Sequence, residues 1–435
     1  MFFTFLFFVL AIHAQTHEIY DLKRCLETGL ERNYDIRIVR NEQQVNDNNF
    51  TVGNAGFLPS LTLNAGYSGS LNDRNDHYTD GTSNKINSIF NQATSVGLNL
   101  DWTVFDGFKM QTEYQRLREF KQKGEISTRL AIESLIAELT AEYYNYIHQN
   151  LRLANLKYAV ELSKERLRIV EAHYSIGSKS RLDLQQARVD FNADSSKLIK
   201  QYEVVNTSAI VLNRLMAVDD VSQKIATQDS IIEPNILLDE QSLLEKTLAT
   251  NSRLLIAAKD KELSKMDLKA LKSRNYPYLK LNLGYGYTGN LYDAAEMNRQ
   301  NTLGLSYGLT VGFSIFDGMN RSREQRNAKI MMQNNELQSE QLELSLKADL
   351  AGMWMAYRNN IDLTNLEKEN LVVAHENYEI AMERYKLGDL SGLELREAQN
   401  SLLEAEERLL QAQYNTKLCE ISLLQISGQI TSYIG

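Results

Sequence analysis

The sequence predicts a mainly α-helical protein that also carries four membrane-type β-strands, the whole built twice from one plan. Three observations predict this. The chain repeats itself at a nearly constant spacing, two stretches in each copy alternate apolar and polar residues, and very long polar segments run almost free of proline and glycine. Composition narrows the rest. The 435 residues hold 47 Lys and Arg against 56 Asp and Glu, a net charge of −9, with only 3 prolines. An acidic balance argues against a nucleic-acid partner, which needs basic groups against phosphate. Two cysteines cannot staple a disulfide-rich scaffold. Mean hydropathy is −0.38, and beyond the N-terminus no run approaches the ~20 apolar residues of a spanning helix. The chain is therefore either soluble or a β-barrel protein, whose signal per strand is weak.

Phe2 to Ile12 is almost wholly apolar. That length suits the core of a signal peptide and is too short to span a bilayer. Ala14 offers a small residue at the cleavage point, so residues 1–14 are expected to be a signal peptide and the mature chain to be exported. A buried apolar strand is the other reading. Cys25 lies well past the cleavage point, so no lipid anchor is expected. Cys25 and Cys419 both sit in helical apolar patterns. They either bridge in an oxidising compartment or pack as small buried hydrophobes.

The repeat organises the chain. Val96 to Gly107 reads VGLNLDWTVFDG, and Tyr307 to Gly318 reads YGLTVGFSIFDG, 211 residues later. The same spacing relates Tyr174-x-x-Gly177 to Tyr385-x-x-Gly388, Asp183-Leu184 to Glu394-Leu395, and Ala187 to Ala398. Upstream the spacing is 218, relating Asn33 to Asn251, Leu26 to Leu244 and Pro59 to Pro277. The first half thus carries extra residues in its polar stretch, around Ser70 to Asn91, which reads as a loop. The expected division is 15–228 for the first repeat and 229–435 for the second.

In each half a helical segment leads to the proline, and two alternating stretches follow. Leu61, Leu63, Ala65 and Tyr67 share one face, then Val96, Leu98, Leu100, Trp102 and Val104. The second half repeats this with Leu279 to Tyr287 and with Leu305 to Ile315. Period two over about ten residues matches a membrane strand with apolar-out, polar-in faces. A half-buried sheet in a soluble domain also alternates, but the tyrosines near the strand ends suit an aromatic girdle. Four strands cannot close a barrel, and open edges are not tolerated in lipid. If the strands span a membrane, several protomers must share one barrel.

The remaining segments are helical and long. From Met110 to about Ser175 there is no proline, and the only glycine is Gly124. Leu130, Leu135, Leu139, Tyr143 and Tyr146, then Leu151, Leu153 and Leu156, mark an apolar stripe at helical spacing. Such helices need partners along that stripe, as in an ordinary coiled coil.

Taken together, these residues resemble the TolC family of outer-membrane channel-tunnels. The resemblance rests on the twofold repeat, the proline before each first strand, and the F-D-G that turns each second strand into a long helix. It rests also on the hairpin pattern of Tyr174 to Ala187 and Tyr385 to Ala398. It implies a trimer whose four strands per protomer make a twelve-stranded barrel in the outer membrane. The long helices would form a hollow α-barrel across the periplasm. It further implies docking onto a periplasmic adaptor protein and an inner-membrane transporter, as the exit duct of a tripartite efflux or type I secretion system. The cargo (drugs, metals or proteins) stays open. A secreted, soluble helical-bundle scaffold is the alternative.

No catalytic constellation is present: there is no HExxH, P-loop or GxSxG, and the 6 histidines lack metal-ligand spacing. Neither an enzyme nor a cofactor is expected. Gly177 and Gly388 suit left-handed helix C-caps that let the chain turn back. The resemblance makes these turns adaptor-docking tips, at Gly177, Ser178, Gly388 and Asp389. Glu394 and Glu397 are one helical turn apart and can share a face. They match family positions where acidic rings line the tunnel entrance; a solvated helix face is the plainer reading. Arg396, between them, would neutralise part of such a ring. Tyr385 and Asp183 match a family pair that closes the entrance by an inter-helix hydrogen bond, in a gate that opens by untwisting of the inner hairpins.

Overall fold

The computed structural model describes residues 19–434; the expected signal segment lies outside them. In chain order the elements are β1 (Ile19–Tyr20), α1 (Leu22–Arg32), α2 (Tyr34–Asn49), β2 (Ser60–His77), β3 (Ser83–Phe105), α3 (Lys109–Ser175) and α4 (Arg181–Leu215). Then come β4 (Ala226–Thr227), α5 (Glu240–Thr250), α6 (Ser252–Ser273), β5 (Tyr278–Leu291), β6 (Arg299–Gly312), α7 (Asn320–Leu387) and α8 (Gly392–Ile426). The series begun by β1 and the series begun by β4 have the same elements in the same order. Two compact units each draw on both series. Unit 1 takes the chain up to Asn41, Ile126–Leu255 and the chain from Glu340 on; unit 2 takes Glu42–Glu125 and Ile256–Ser339.

Unit 2 holds an antiparallel sheet in the order β2-β3-β5-β6. Its register lines up Leu61, Leu100, Leu283 and Tyr307 in one row, and Leu63, Leu98, Tyr285 and Leu305 in another. Opposed residues point to the same side of a sheet, so the rows merge into one apolar face across all four strands. That face is open: Leu63 is 69% exposed, Leu305 67% and Tyr307 81%. The opposite face carries small and polar rows, such as Thr62, Asn99, Gly284 and Ser306.

Two strand ends differ from the sequence expectation. The polar stretch around Ser70 to Asn91 is not a loop. Pairing runs on from Ser70↔Asn91 to His77↔Ser83, with one register shift between Asn72 and Arg74. Backbone groups of a hairpin satisfy each other whatever the side chains, so alternation reports only the part with an apolar face. Conversely, the alternation up to Ile315 overruns β6, which ends at Gly312. Its last pair is Tyr278↔Gly312, and β5 offers no earlier residue to pair with.

Each F-D-G motif makes the strand-to-helix turn by the same two devices. Asp106 accepts from the Met110 N–H at 3.0 Å, and Asp317 from the Arg321 N–H at 3.0 Å, capping orphan donors of α3 and α7. Gly107 has φ +73°, and a Cβ there would lie 2.3 Å from the Ser273 carbonyl oxygen. Both conformation and space therefore demand glycine.

Unit 1 is helical. α3 has 67 residues and α7 has 68, about 100 Å each at 1.5 Å per residue. The predicted stripe of α3 is buried: Leu135, Leu139, Tyr143 and Tyr146 pack with Leu26, Ile36, Leu212 and Met216. Cys25 belongs to that cluster and Cys419 to a separate one with Leu350, Tyr357 and Leu423. Both are free thiols, and burial pushes Cys25 up to about 12, so of the two sequence readings the packed thiol holds.

One contact occurs twice at repeat-equivalent places. The Asn33 side chain donates to the Leu215 carbonyl, the last of α4, at 3.0 Å, and accepts from the N–H groups of Asp35 and Ile36 in the first turn of α2. Asn251 donates to the Ile426 carbonyl, the last of α8, at 2.8 Å, and accepts from Arg253 and Leu254 in α6. Each amide thus satisfies orphan groups of two helix ends at once. Asn33→Ala and Asn251→Ala should each cost about 1–3 kcal/mol, because buried backbone groups are left unpaired. Thermal melts in detergent check this; unchanged midpoints for both variants would remove the clamp from the account.

Candidate functional site

The sequence-selected residues collect at the two hairpin turns of unit 1. Each turn closes in the same way. The Ser178 N–H reaches back to the His173 carbonyl at 2.9 Å, and the Asp389 N–H to the Arg384 carbonyl at 3.0 Å. Gly177 and Gly388 have φ of +80° and +86°, the left-handed C-cap expected from their positions. An added Cβ at either meets nothing within 4 Å, so conformation alone selects glycine.

The next helices start with matched capping boxes. Ser180 and Asp183 exchange side-chain-to-backbone bonds at the start of α4, and Ser391 and Glu394 do so at the start of α8. Hydrogen bonds from the serine hydroxyl and N–H hold the Asp183 and Glu394 carboxyls below the usual carboxylate range. Glu394 and Glu397 are both exposed.

Tyr385 lies elsewhere in character. It is 4% exposed and packs among Val170, Leu184, Ala187, Tyr378, Leu395 and Leu402. Burial pushes its hydroxyl above its ordinary value. Tyr385 and Asp183 line one cavity of about 340 Å³, together with Lys179, Leu182 and Leu393. Among the described residues no hydrogen bond joins the pair; the Asp183 carboxylate is engaged by Ser180.

The structure also reveals a buried polar cluster that sequence reasoning did not find. Arg396 does not stand between Glu394 and Glu397. It turns inward and forms a two-pronged ion pair with Asp194, at 2.6 and 2.9 Å. Ser163 bonds the same carboxylate, and Gln399 donates to the Ser163 hydroxyl at 3.2 Å. Beside them Arg166 pairs with Asp190. Ser163, Arg166, Asp194 and Gln399 are each at most 3% exposed. Burial pushes the Asp194 carboxyl up, but hydrogen bonds from Arg396 and Ser163 outweigh it, and the net shift is downward. A legible signal existed. Ala187, Asp194, Gln201, Ser208 and Leu215 recur every seventh residue, and all are buried. Polar residues on such a stripe face a core.

His148 packs in the core of unit 1. It is buried, stacked on Tyr414 with ring centroids 4.8 Å apart, and burial lowers it to about 4. No group of three or more His, Cys, Asp or Glu able to hold a metal occurs among the described residues.

Comparison with known proteins places this architecture. The family described as outer membrane efflux protein matches residues 26–218 and 243–429, one segment in each half. The outer membrane efflux protein BepC of Brucella suis is 18% identical over 414 residues, covering 94% of this chain and 86% of BepC. The outer membrane protein TolC of Escherichia coli is 22% identical over 392 residues, covering 86% of this chain and 75% of TolC. Among solved structures, the Campylobacter jejuni CmeC outer membrane channel superposes with a TM-score of 0.81 at 15% identity, over 94% of this chain and 85% of that one. With both halves matched by the family model, the chain belongs to the outer membrane efflux proteins.

Proposed function

We propose that three copies of this chain form an outer-membrane exit duct that docks with a periplasmic adaptor and an inner-membrane transporter. The observation that carries the reading is the open apolar face of the sheet, bounded by edge strands β2 and β6. A contiguous apolar face of this extent marks a membrane or partner surface, and in lipid both edges need strand partners. Three sheets of four strands would pair every edge. A secreted soluble scaffold would have to leave that face in water, which counts against it.

Within this reading the turns at Gly177, Ser178, Gly388 and Asp389 are the adaptor-docking tips. Glu394 and Glu397 form carboxylate rings about the trimer axis, which attract cations and repel anions at close range. With Arg396 committed to Asp194, that arginine does not neutralise the rings; among the described residues the charge of Arg384 still acts on Glu394. Asp183 serves the entrance by fixing the start of α4, and Tyr385 by packing. The transported compound is chosen by the transporter, so the duct itself names no cargo.

A heat-sensitive oligomer near trimer size in the outer-membrane fraction is expected; a monomer in the soluble periplasm would overturn the duct. Glu394→Gln with Glu397→Gln should reduce cation preference in planar bilayers, and unchanged selectivity would sink the ring assignment. The pH dependence has a definite sign. Because Ser391 holds Glu394 below the ordinary carboxylate range, the Glu394 share of that preference should persist to more acidic pH than an unassisted glutamate allows. Ser391→Ala should move its loss to higher pH, as read from reversal potentials across a pH series.

A further inference from the structure

We propose that the cavity at the hairpin ends of unit 1 binds a small amphipathic anion, an aryl or alkyl carboxylate or sulfonate. Arg166 and Lys179 take its acidic group, and Leu182, Leu393 and the Tyr385 ring take its apolar body. The proposal concerns binding alone and does not depend on the duct reading.

Three observations carry it. The first is the cavity itself. It encloses about 340 Å³, within the range that holds small molecules. Arg166 and Val170 line it from α3, Leu182 and Ala187 from α4, Tyr385 from α7 and Leu393 from α8. Lys179 joins them from the turn before α4.

The second is a surplus of donors. Arg166 is 3% exposed and bonds Asp190 through Nη2, yet its buried Nε has no hydrogen-bond partner. A buried donor left unpaired is rare and costly. The Lys179 ammonium lies over the Tyr385 ring, 5.6 Å from its centre, and forms no ion pair among the described residues. The carboxylates of the cavity are already engaged. Asp183 accepts from the Ser180 hydroxyl and N–H, and Asp190 from Arg166 and from Gln186. Arg396, also on the wall, is committed to Asp194. Donors left over beside engaged acceptors favour a ligand that accepts, and a charged one, since guanidinium and ammonium bond anions most strongly. A cation would have to displace the donors already on Asp183 and Asp190.

The third is the gradient from floor to rim. Leu182 and Leu393 are 77% and 79% exposed, whereas Arg166 is buried. An acidic group held at the guanidinium leaves its apolar body against the two leucines, which removes apolar surface from water. The repeat supplies no second copy of this donor pair: Asn377 and Leu390 stand at the positions equivalent to Arg166 and Lys179.

The probe is 4-phenylbutanoate, with 4-phenylbutanamide as its uncharged counterpart. Each is titrated calorimetrically into the full-length protein in lipid nanodiscs, since detergent micelles would absorb both. Saturable binding of the carboxylate is expected, about tenfold or more tighter than that of the amide. Arg166→Gln would strand Asp190 and destabilise the hairpins, so two variants nearer the surface carry the test. Lys179→Glu and Leu393→Glu should each weaken carboxylate binding about tenfold or more, with melting midpoints close to that of the parent. Equal affinity for acid and amide would mean an apolar slot without an anion site. Unchanged carboxylate binding in both variants would place the probe elsewhere, in the lipid or on another surface. Either result, or no saturable binding below about 10 mM, would overturn the proposal. The duct reading is judged separately, by the oligomer and its conductance.

Discussion

Backbone hydrogen bonding at the outer strands is the constraint on which the rest depends. β2 and β6 each have a strand neighbour on one side only, while the sheet between them shows an apolar face to its surroundings. An unpaired N–H or C=O in hydrocarbon costs several kcal/mol, so in an outer-membrane protein this sheet is incomplete by itself. The helices obey the same rule and escape its consequence, because each satisfies its backbone internally. They can be long and polar, with only their ends to settle. Those ends are settled with care: Asp106 and Asp317 cap the helices after the strands, and Asn33 and Asn251 each serve two helix ends.

Buried charge in unit 1 follows a second rule. The Lys417–Glu420 pair is nearly inaccessible, with Glu420 also accepting from Tyr433 and from the Asn235 N–H. The Arg396–Asp194 pair is similarly enclosed. Such pairs add little net stability, because desolvation offsets their attraction. Leaving one partner alone, however, costs about 3–5 kcal/mol. Their effect is selective: a helix slipped by one turn would bury an unmatched charge. Apolar contacts among leucines and alanines recur along α3, α4, α7 and α8 and cannot by themselves distinguish one register from the next.

Much of the architecture was legible because it depends on period and on turn chemistry. Alternation revealed the four strands, and the glycines at 177 and 388 marked the turns, since few other residues adopt positive φ without strain. Legibility failed where pairing, not pattern, decides. In the long continuation of the β2–β3 hairpin the β2 arm, Asn72 to His77, is polar on both faces, so no alternation announces it. Arg396 illustrates the opposite case. Its neighbours Glu394 and Glu397 suggested a surface role, yet its own place beside Leu395 and Ala398 on α8 turns it toward Asp194.

The sequence by itself determined the doubled plan, the long helices, the apolar part of each strand, the residues at each turn, and membership of the outer membrane efflux proteins. These follow from local propensities repeated at a constant spacing. Only the tertiary structure decided which buried polar residues pair with one another. Asp194 and Arg396 are 202 residues apart, and nothing local at either records the other. The same holds for Cys25 and Cys419, kept apart as free thiols in separate clusters. Partner choice across such distances is a property of how helices pack, and packing is settled only when the whole chain is folded.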